Sequence, residues 1–133
     1  IYGINDDGNL LDASFIGAVS ALKSAKIPVY TEENGVEYGE LTKENLPLTK
    51  NESLMMTFYK VGDNFLFDPT RDEEDTCTAR LTLAISKPGK DKIINSMQKG
   101  EIESIPTKDI IKIIEEAEEI FDKLFDIIEK KFK

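Results

Sequence analysis

The clearest pattern along the chain is a strict alternation of apolar and polar residues over residues 77–86. A period of two residues is typical of a β-strand with one buried face. Two apolar segments before it, 54–61 and 64–68, are separated by Gly62-Asp63, which predicts a hairpin. A fourth strand is expected over 92–98, after a turn that contains Pro and Gly. These four segments predict a mostly antiparallel sheet.

Two further segments repeat their apolar residues with the period of an α-helix. The first is expected over about residues 10–26, and Pro28 ends it. One face of this helix is expected to be apolar, and a second face is expected to carry only small residues. The apolar positions are Leu11, Phe15, Ala18, Val19 and Leu22, and the small ones are Ala13, Gly17, Ala21 and Ala25.

The second helical segment is predicted to begin after Pro106, with Thr107 as its N-cap, and to run for about 25 residues. Its apolar residues recur in steps of four and three, at Ile110, Ile114, Ala117, Phe121, Leu124 and Ile128, with a second strip at Ile111, Ile120 and Ile127. We expect this helix to cover one side of the sheet. The second strip packs either inside the same domain or against another protein surface.

The rest of the chain shows weaker patterns. Residues 1–4 alternate like the end of a strand. Residues 31–51 form a polar connection with a short strand at 36–38, and they are the best candidate for a domain linker. The predicted fold class is therefore α+β. A mostly antiparallel four-stranded sheet is packed by a long C-terminal helix and preceded by a separate strand and helix.

Composition and charge exclude several classes of function. The 133 residues are 40% hydrophobic, which fits one compact domain, or one domain plus part of another. A net charge of −9 argues against a free-standing nucleic-acid binder. Cys77 is the single cysteine and histidine is absent, which excludes an internal disulfide, histidine metal sites and nucleophile–histidine catalysis. We expect a soluble protein of a reducing, cytoplasmic compartment, with no membrane segment.

The start of the first predicted helix is one candidate for chemistry. A helix N-terminus exposes unpaired N–H groups and attracts anions. Asn9 is expected to cap this helix, and Asp12 to reach back in an arrangement like a capping box. A phosphate at this helix start would compete with the carboxylates of Asp6, Asp7 and Asp12. No Lys or Arg precedes Lys23, so no nearby positive charge offsets them. An ordinary, well-capped helix is the alternative interpretation.

The second candidate is an acidic segment directly after the second predicted strand. Residues 68–75 contain five carboxylates: Asp68, Asp72, Glu73, Glu74 and Asp75. Such density can hold a divalent cation or provide a general acid, because nearby like charges raise one pKa. The other interpretation is a solvated acidic turn, since the segment lacks the glycine spacing of a calcium loop.

Four stretches, in their order and spacing, carry a family resemblance: Asn5-Asp6-Asp7-Gly8-Asn9-Leu10-Leu11-Asp12-Ala13, Val61-Gly62-Asp63-Asn64, Asp68-Pro69-Thr70-Arg71-Asp72-Glu73-Glu74 and Met97-Gln98-Lys99-Gly100. The chain resembles the RNase PH superfamily, and more narrowly its non-catalytic subunit in the archaeal exosome. This resemblance implies that residues 1–27 are the last strand and helix of a first RNase PH domain, and that residues 28–133 are the second.

The resemblance also implies which positions matched a catalytic site. Catalytic relatives carry a Gly-Thr-Arg or Gly-Ser-Arg turn that binds phosphate, where this chain has Asn9, Leu10 and Leu11. Leucine offers neither charge nor donors, so orthophosphate binding should be abolished. Asp68 and Glu74 match the acidic pair of the family. These two carboxylates are remnants of ancestry, a structural cap for the following turn, or a weak cation site. We assign no catalytic, metal-binding or cofactor-binding residue and regard these five positions as degenerate.

Three classes of function follow. The first is a non-catalytic, structural and RNA-positioning subunit. It would form a heterodimer with a catalytic RNase PH-type partner. Three such heterodimers would make a ring that degrades RNA from its 3′ end by phosphorolysis. RNA would bind through the assembled complex, and neither DNA nor a membrane is expected. The alternative is an active phosphorolytic 3′–5′ exoribonuclease that uses Asp68 and Glu74. The third is a metal-dependent hydrolytic nuclease built on the acidic segment.

Overall fold

A computed structural model describes residues 1–49 and 51–131. In chain order the elements are α1 (Leu10–Ser24), β1 (Lys26–Thr31), β2 (Gly35–Asn45), β3 (Ser53–Val61), β4 (Asn64–Phe67), α2 (Arg71–Asp75), β5 (Ala79–Ser86), β6 (Ile93–Gly100) and α3 (Thr107–Lys131). No helix within these described ranges has both the length and the apolar composition needed to cross a membrane. The α+β fold class is confirmed.

The predicted four-stranded sheet is present, with the strand order β4-β3-β5-β6 and antiparallel pairing throughout. Val61 pairs with Asn64, so Gly62-Asp63 forms the expected hairpin turn. β5 begins at Ala79, two residues after the alternating pattern begins, and β6 begins at Ile93. β4 and β6 are the edges of this sheet.

One face of the sheet packs against α3, as predicted. Ile113, Ala117, Phe121 and Ile128 are the buried residues of α3, and they meet core residues of β3 and β5: Leu54, Met56, Phe58, Leu81, Leu83 and Ile85. Ile113 was absent from the predicted stripe. The predicted N-cap at Thr107 is wrong by one residue, because the carbonyl of Pro106 accepts the first helical hydrogen bonds. Of the second strip, Ile111 and Ile127 are exposed and Ile120 is half-buried.

The opposite face of the sheet packs against α1 through β3. The only fully buried residue of α1 is Asp12. The predicted apolar face is therefore partly wrong, since Leu11 and Leu22 are exposed while Phe15, Ala18 and Val19 are half-buried. Asp12 turns inward because it hydrogen-bonds to β3, and this bond sets which side of α1 faces the sheet. α1 ends at Ser24, and Pro28 lies inside β1.

Residues 31–49 are not the largely irregular polar connection that was expected, while their role as a domain linker stays a prediction. β1 and β2 make a two-stranded antiparallel sheet of their own, which absorbs the short strand expected at 36–38. The expected strand at residues 1–4 is wrong too, because this segment has no strand structure. The proposed division between residues 27 and 28 falls inside β1.

A half-buried lysine, Lys23, joins three parts of the molecule. The Nζ atom of Lys23, in α1, lies 2.7 Å from Glu52 before β3 and 2.5 Å from Glu129 in α3. Burial alone lowers the pKa of Lys23, but the hydrogen bonds to Glu129 and Glu52 outweigh it and raise the pKa. This contact holds α1 and α3 together at one end of the sheet.

Candidate functional site at the start of α1

The structure brings together three of the five degenerate positions. Asn9 precedes α1, Asp68 directly follows β4, and Glu74 lies in the short helix α2. Gly8 makes this approach possible, because a Cβ atom there would lie 2.5 Å from the carbonyl oxygen of Pro69. Its φ of +95° is also a conformation that favours glycine. The Asn-Asp-Asp-Gly segment is therefore packed directly on the acidic loop.

Asn9 is the centre of the site and is itself buried. Its φ of 49° is left-handed, and its side chain makes no capping hydrogen bond. Its backbone N–H donates to Oε2 of Glu74 at 2.8 Å, and its Nδ2 donates to Asp12 at 3.2 Å and to Asp68 at 3.4 Å. The predicted capping box with Asp12 is therefore wrong. The carboxylate on the Asn9 amide comes from Glu74, 65 residues further along the chain.

Asp12 is held by the sheet instead. Its Oδ2 accepts from the N–H of Thr57 at 2.6 Å, and its Oδ1 accepts from the Thr57 hydroxyl at 2.7 Å. The Thr57 hydroxyl also lies 3.1 Å from that of Thr82 on β5. Burial raises the pKa of Asp12, although the hydrogen bonds from Thr57 and Asn9 oppose this shift. Asp12 is thus a buried structural carboxylate.

Glu74 has both carboxylate oxygens engaged. Its Oε1 accepts from the hydroxyl of Tyr59 at 3.1 Å, while its Oε2 accepts from the Asn9 amide. The Tyr59 hydroxyl also lies 3.3 Å from Oδ1 of Asn9. Burial, followed by the charge of Glu74, raises the pKa of Tyr59, so the phenol stays protonated and donates. Glu74 is fixed in place by partners from two separate elements.

The other acidic residues of the loop have separate roles. Glu73 accepts from the N–H and hydroxyl of Thr70 at 2.8 and 2.9 Å. These bonds, chiefly the one from the backbone N–H, lower the pKa of Glu73. The Arg71 guanidinium pairs with Asp75 at 2.9 Å and with Asp6 at 3.2 Å. Within residues 1–49 and 51–131, no group of three or more His, Cys, Asp or Glu side chains is arranged to hold a metal ion.

Leu10 and Leu11 do not join this network. They lie in the first turn of α1 and are 40% and 42% exposed. Neither side chain can donate a hydrogen bond or carry a positive charge. The structure therefore separates the five positions into a bonded group, made of Asn9, Asp68 and Glu74, and an exposed apolar pair.

Sequence reasoning missed two residues of the network, Thr57 and Tyr59. Both lie on β3, on the face opposite to Met56 and Phe58, and both are buried. The available signal was that β3 is apolar in nearly every position, which is typical of a strand covered on both faces. Two polar side chains on such a strand indicate a buried hydrogen-bonding partner on the second face.

Comparison with known proteins agrees with this fold. Residues 54–120, about half of the chain, match the 3′ exoribonuclease family, domain 2. The chain therefore belongs to the 3′ exoribonuclease family, and the resemblance to the RNase PH superfamily is confirmed.

Similar individual proteins are components of archaeal exosomes. One is the exosome complex component Rrp42 of Thermococcus onnurineus, 38% identical, with 96% of this chain and 48% of that protein covered. Another is Rrp42 of Methanothermobacter thermautotrophicus, 34% identical, with 98% and 47% covered. A solved structure, the Archaeoglobus fulgidus exosome with RNA bound to the active site, matches with a TM-score of 0.62 and 28% identity, covering 98% of this chain and 46% of that one. The chain spans about half the length of these relatives.

Proposed function

We propose that this chain is the C-terminal half of a non-catalytic subunit of an archaeal exosome. Residues 1–27 would complete a first RNase PH domain and residues 28–133 would form the second. The subunit would hold and position RNA for a catalytic RNase PH-type partner, in a cytoplasmic ring of three heterodimers that degrades RNA by 3′-to-5′ phosphorolysis. The similarity to Rrp42 proteins supports the assembly.

The observation that carries the non-catalytic role is that Leu10 and Leu11 stand in the first turn of α1 with no charge or side-chain donor, while the Asn9 amide is already bonded to Glu74. The Glu74 carboxylate accepts the hydrogen bond of the Asn9 amide, which is one of the N–H groups at the start of α1 that could bind an anion. An orthophosphate at this place would meet a fixed negative charge in a partly buried site, where repulsion between like charges is strong. The protein's own anion therefore occupies one of the donors at the start of α1.

The surrounding side chains give phosphate no compensation. Leu10 and Leu11 supply no donor, and the Arg71 guanidinium is paired with Asp6 and Asp75. Phosphorolysis requires a bound phosphate as nucleophile, and binding it normally depends on charge-assisted, often bidentate, donors. The remaining carboxylates, Asp68 and Glu74, have no nucleophile to act on.

The first test measures RNA decay by the full-length subunit that contains this chain. We expect no phosphate-dependent release of nucleoside diphosphates from the subunit alone, and release when the catalytic partner is added. Phosphate-dependent decay by the subunit alone would overturn the proposal in favour of an active enzyme using Asp68 and Glu74. Cleavage that needs Mg²⁺ or Mn²⁺ but no phosphate, and that Asp68→Asn abolishes, would instead support the hydrolytic nuclease.

The second test measures orthophosphate binding by calorimetry. We expect no saturable binding by the parent or by Leu11→Arg, because Glu74 still occupies the helix start. Combining Leu11→Arg with Glu74→Gln removes that charge and should produce measurable binding. Leu22→Arg with Glu74→Gln is the matched control, since Leu22 is a similarly exposed residue of the same helix. Saturable micromolar binding by the parent would contradict the proposal.

A further inference from the structure

The turn of the β1–β2 hairpin contains a chemically reactive pair of residues. Asn34-Gly35 is the single Asn-Gly pair of the sequence, and Asn34 is the last residue of the turn formed by residues 32–34. Gly35 pairs with Thr31, where the two strands begin. Its φ of +71° is a conformation that favours glycine. The geometry of the turn therefore requires a glycine directly after this asparagine.

The side-chain amide of Asn34 has no partner that would hold it in place. Asn34 is exposed, and its side chain makes no hydrogen bond within residues 1–49 and 51–131. Its backbone N–H donates to the hydroxyl of Thr31 at 3.3 Å. No atom of a non-neighbouring residue lies within 4 Å of the Cβ position of Gly35. Neither packing nor a side-chain hydrogen bond keeps the Asn34 amide away from the Gly35 nitrogen.

This pair of residues has the groups needed for an intramolecular reaction, and asparagine is a thermolabile residue. The Gly35 nitrogen loses its proton to hydroxide and attacks Cγ of Asn34, which closes a five-membered succinimide ring. The bond between Cγ and Nδ2 breaks, and the nitrogen leaves as ammonia with a proton from water, which regenerates the hydroxide. Water then opens the ring at either carbonyl to give aspartate or isoaspartate. One water is consumed and one ammonia is released.

Two other sites have a related sequence but are held by contacts. Asn95 is followed by a serine in β6, and its Nδ2 donates to the hydroxyl of Ser53 at 3.3 Å. Asp7 is followed by Gly8, whose Cβ position lies 2.5 Å from the carbonyl oxygen of Pro69. These contacts restrict the backbone and side-chain movement that ring closure needs. The hairpin turn lacks such contacts in the described part of the chain.

Both reaction products would weaken the hairpin. The new carboxylate at position 34 adds a negative charge next to the glutamates at residues 32–33. Glu37 is also near, because the Thr31 hydroxyl donates to it at 3.4 Å. Like charges this close repel each other. Isoaspartate also adds one carbon to the main chain inside the turn, and turn length sets the strand register.

We propose that Asn34 is a site of spontaneous deamidation, by attack of the Gly35 nitrogen on the Asn34 side-chain amide, and that the product loosens the β1–β2 hairpin. The hairpin is sensitive to such a change because it forms a separate two-stranded sheet, and a sheet of this size is marginally stable. The reaction depends on residues of this chain and on water, and it does not rest on the proposed function.

The first test incubates the full-length protein that contains this chain at mildly alkaline pH and maps its peptides by mass spectrometry. The peptide containing Asn34 should gain the mass that separates an acid from an amide, as both aspartate and isoaspartate. Its rate of conversion should rise with pH, because the attacking nitrogen must first lose its proton. Asn34→Gln should abolish the conversion at this position, since the longer side chain would have to close a larger ring.

Asn95 is the internal control in the same sample. In the folded protein Asn95 should keep its amide while Asn34 loses it, and unfolding in urea should accelerate the conversion of Asn95 far more than that of Asn34. An Asn34 amide that survives in the folded protein and converts only in urea would show that the turn, or a segment that covers it, protects the amide. This result would overturn the proposal, as would equal conversion of both residues in the folded protein.

Hydrogen exchange measures the effect on the hairpin. The modified protein can be separated from the parent by anion exchange, because it carries one more negative charge. Its β1 and β2 amides should exchange about tenfold faster than those of the parent, while the β3 and β5 amides should be unchanged. Asn34→Asp is the matched control, since it adds the charge without the extra main-chain carbon, and it should give a smaller increase. Equal exchange of the parent and modified hairpins would overturn the proposed loosening.

Discussion

Gly8 is the residue on which the geometry of the candidate site depends most directly. Because Gly8 has no side chain, the segment before α1 can contact the loop after β4. A Cβ atom on Gly8 would point at the backbone of residues 69–71. This contact places the Asn9 amide on the Glu74 carboxylate. A single side-chain carbon at position 8 would therefore disturb the whole hydrogen-bonded group.

Gly8→Ala should lower the free energy of unfolding by about 2 kcal/mol or more, from the positive φ together with the clash against Pro69. Chemical unfolding followed by circular dichroism measures the loss. Gly3→Ala is the matched control and should change stability little, because no atom lies within 4 Å of its Cβ position. Equal stability of the two variants would show that the close approach is not maintained in solution.

Asp12 gives the protein a defined pH response. Burial raises its pKa above the ordinary value of 3.8, so the folded state holds this proton more tightly than the unfolded chain does. The resulting stability is fully present below the unfolded pKa and is lost as pH rises through the folded pKa. Carboxylates with lowered pKa, such as Glu73 and Asp122, act in the opposite direction.

Asp12→Asn isolates this contribution. The free energy of unfolding of the parent minus that of Asp12→Asn should fall as pH rises from about 3.5 to about 7, because only the parent must ionise a buried carboxyl group. Unfolding curves at a series of pH values measure this difference. Asp7→Asn is the control, because it removes the same charge from an exposed position nearby. If the free energies of unfolding of the parent and Asp12→Asn changed in parallel with pH, the prediction would be contradicted.

At the scale of elements, α3 divides its isoleucines and phenylalanines between core and solvent. Phe121 is fully buried and its ring stacks on that of Phe125, with centroids 5.5 Å apart. Ile127, six residues later, is 64% exposed. The two residues have similar hydrophobicity, so their different positions on the helix should decide the energetic effect of removing them.

Phe121→Ala should lower the free energy of unfolding by about 3–5 kcal/mol, since it removes buried area and leaves a cavity between helix and sheet. Ile127→Ala should change it by less than about 0.5 kcal/mol. Urea unfolding of both variants gives the comparison. A large loss for Ile127→Ala would show that this part of α3 is buried by a contact outside the described chain.

The elements that sequence patterns predicted well are those with one continuous buried face. β5 and α3 were found because period-two and helical repeats of apolar residues record burial directly, whereas the exposed edge strand β6 and the half-buried β4 followed from the turns at residues 62–63 and 87–90. The β1–β2 hairpin was missed because its apolar residues face solvent, glutamates separate them, and the bulge at Gly39 breaks the alternation. Exposure and irregular register remove the pattern on which such predictions depend.

At the scale of the whole molecule, the sequence predicted only some members of the candidate site and none of its long-range hydrogen bonds. Asn9, Asp68 and Glu74 came from the family resemblance, and the structure brings them together. Asp12 was assigned to a local cap, which is the most common role of an aspartate at that position. Its actual partner, Thr57, is 45 residues away, and a local pattern contains no information about such a contact.

The hydrogen bonds from Thr57 to Asp12 also bear on modularity. The family match spans residues 54–120, yet Thr57 and Tyr59 inside that span take their buried polar partners from Asp12 and Asn9 outside it. A gene segment cut at the limits of the match would lose the Asp12 carboxylate that accepts from the Thr57 N–H, at a cost of about 1–3 kcal/mol, while the hydroxyls of Thr57 and Tyr59 would keep only Thr82 and Glu74 as partners. The heritable unit is therefore longer than the span recognised by sequence, and recombination would have to carry α1 together with the sheet it completes.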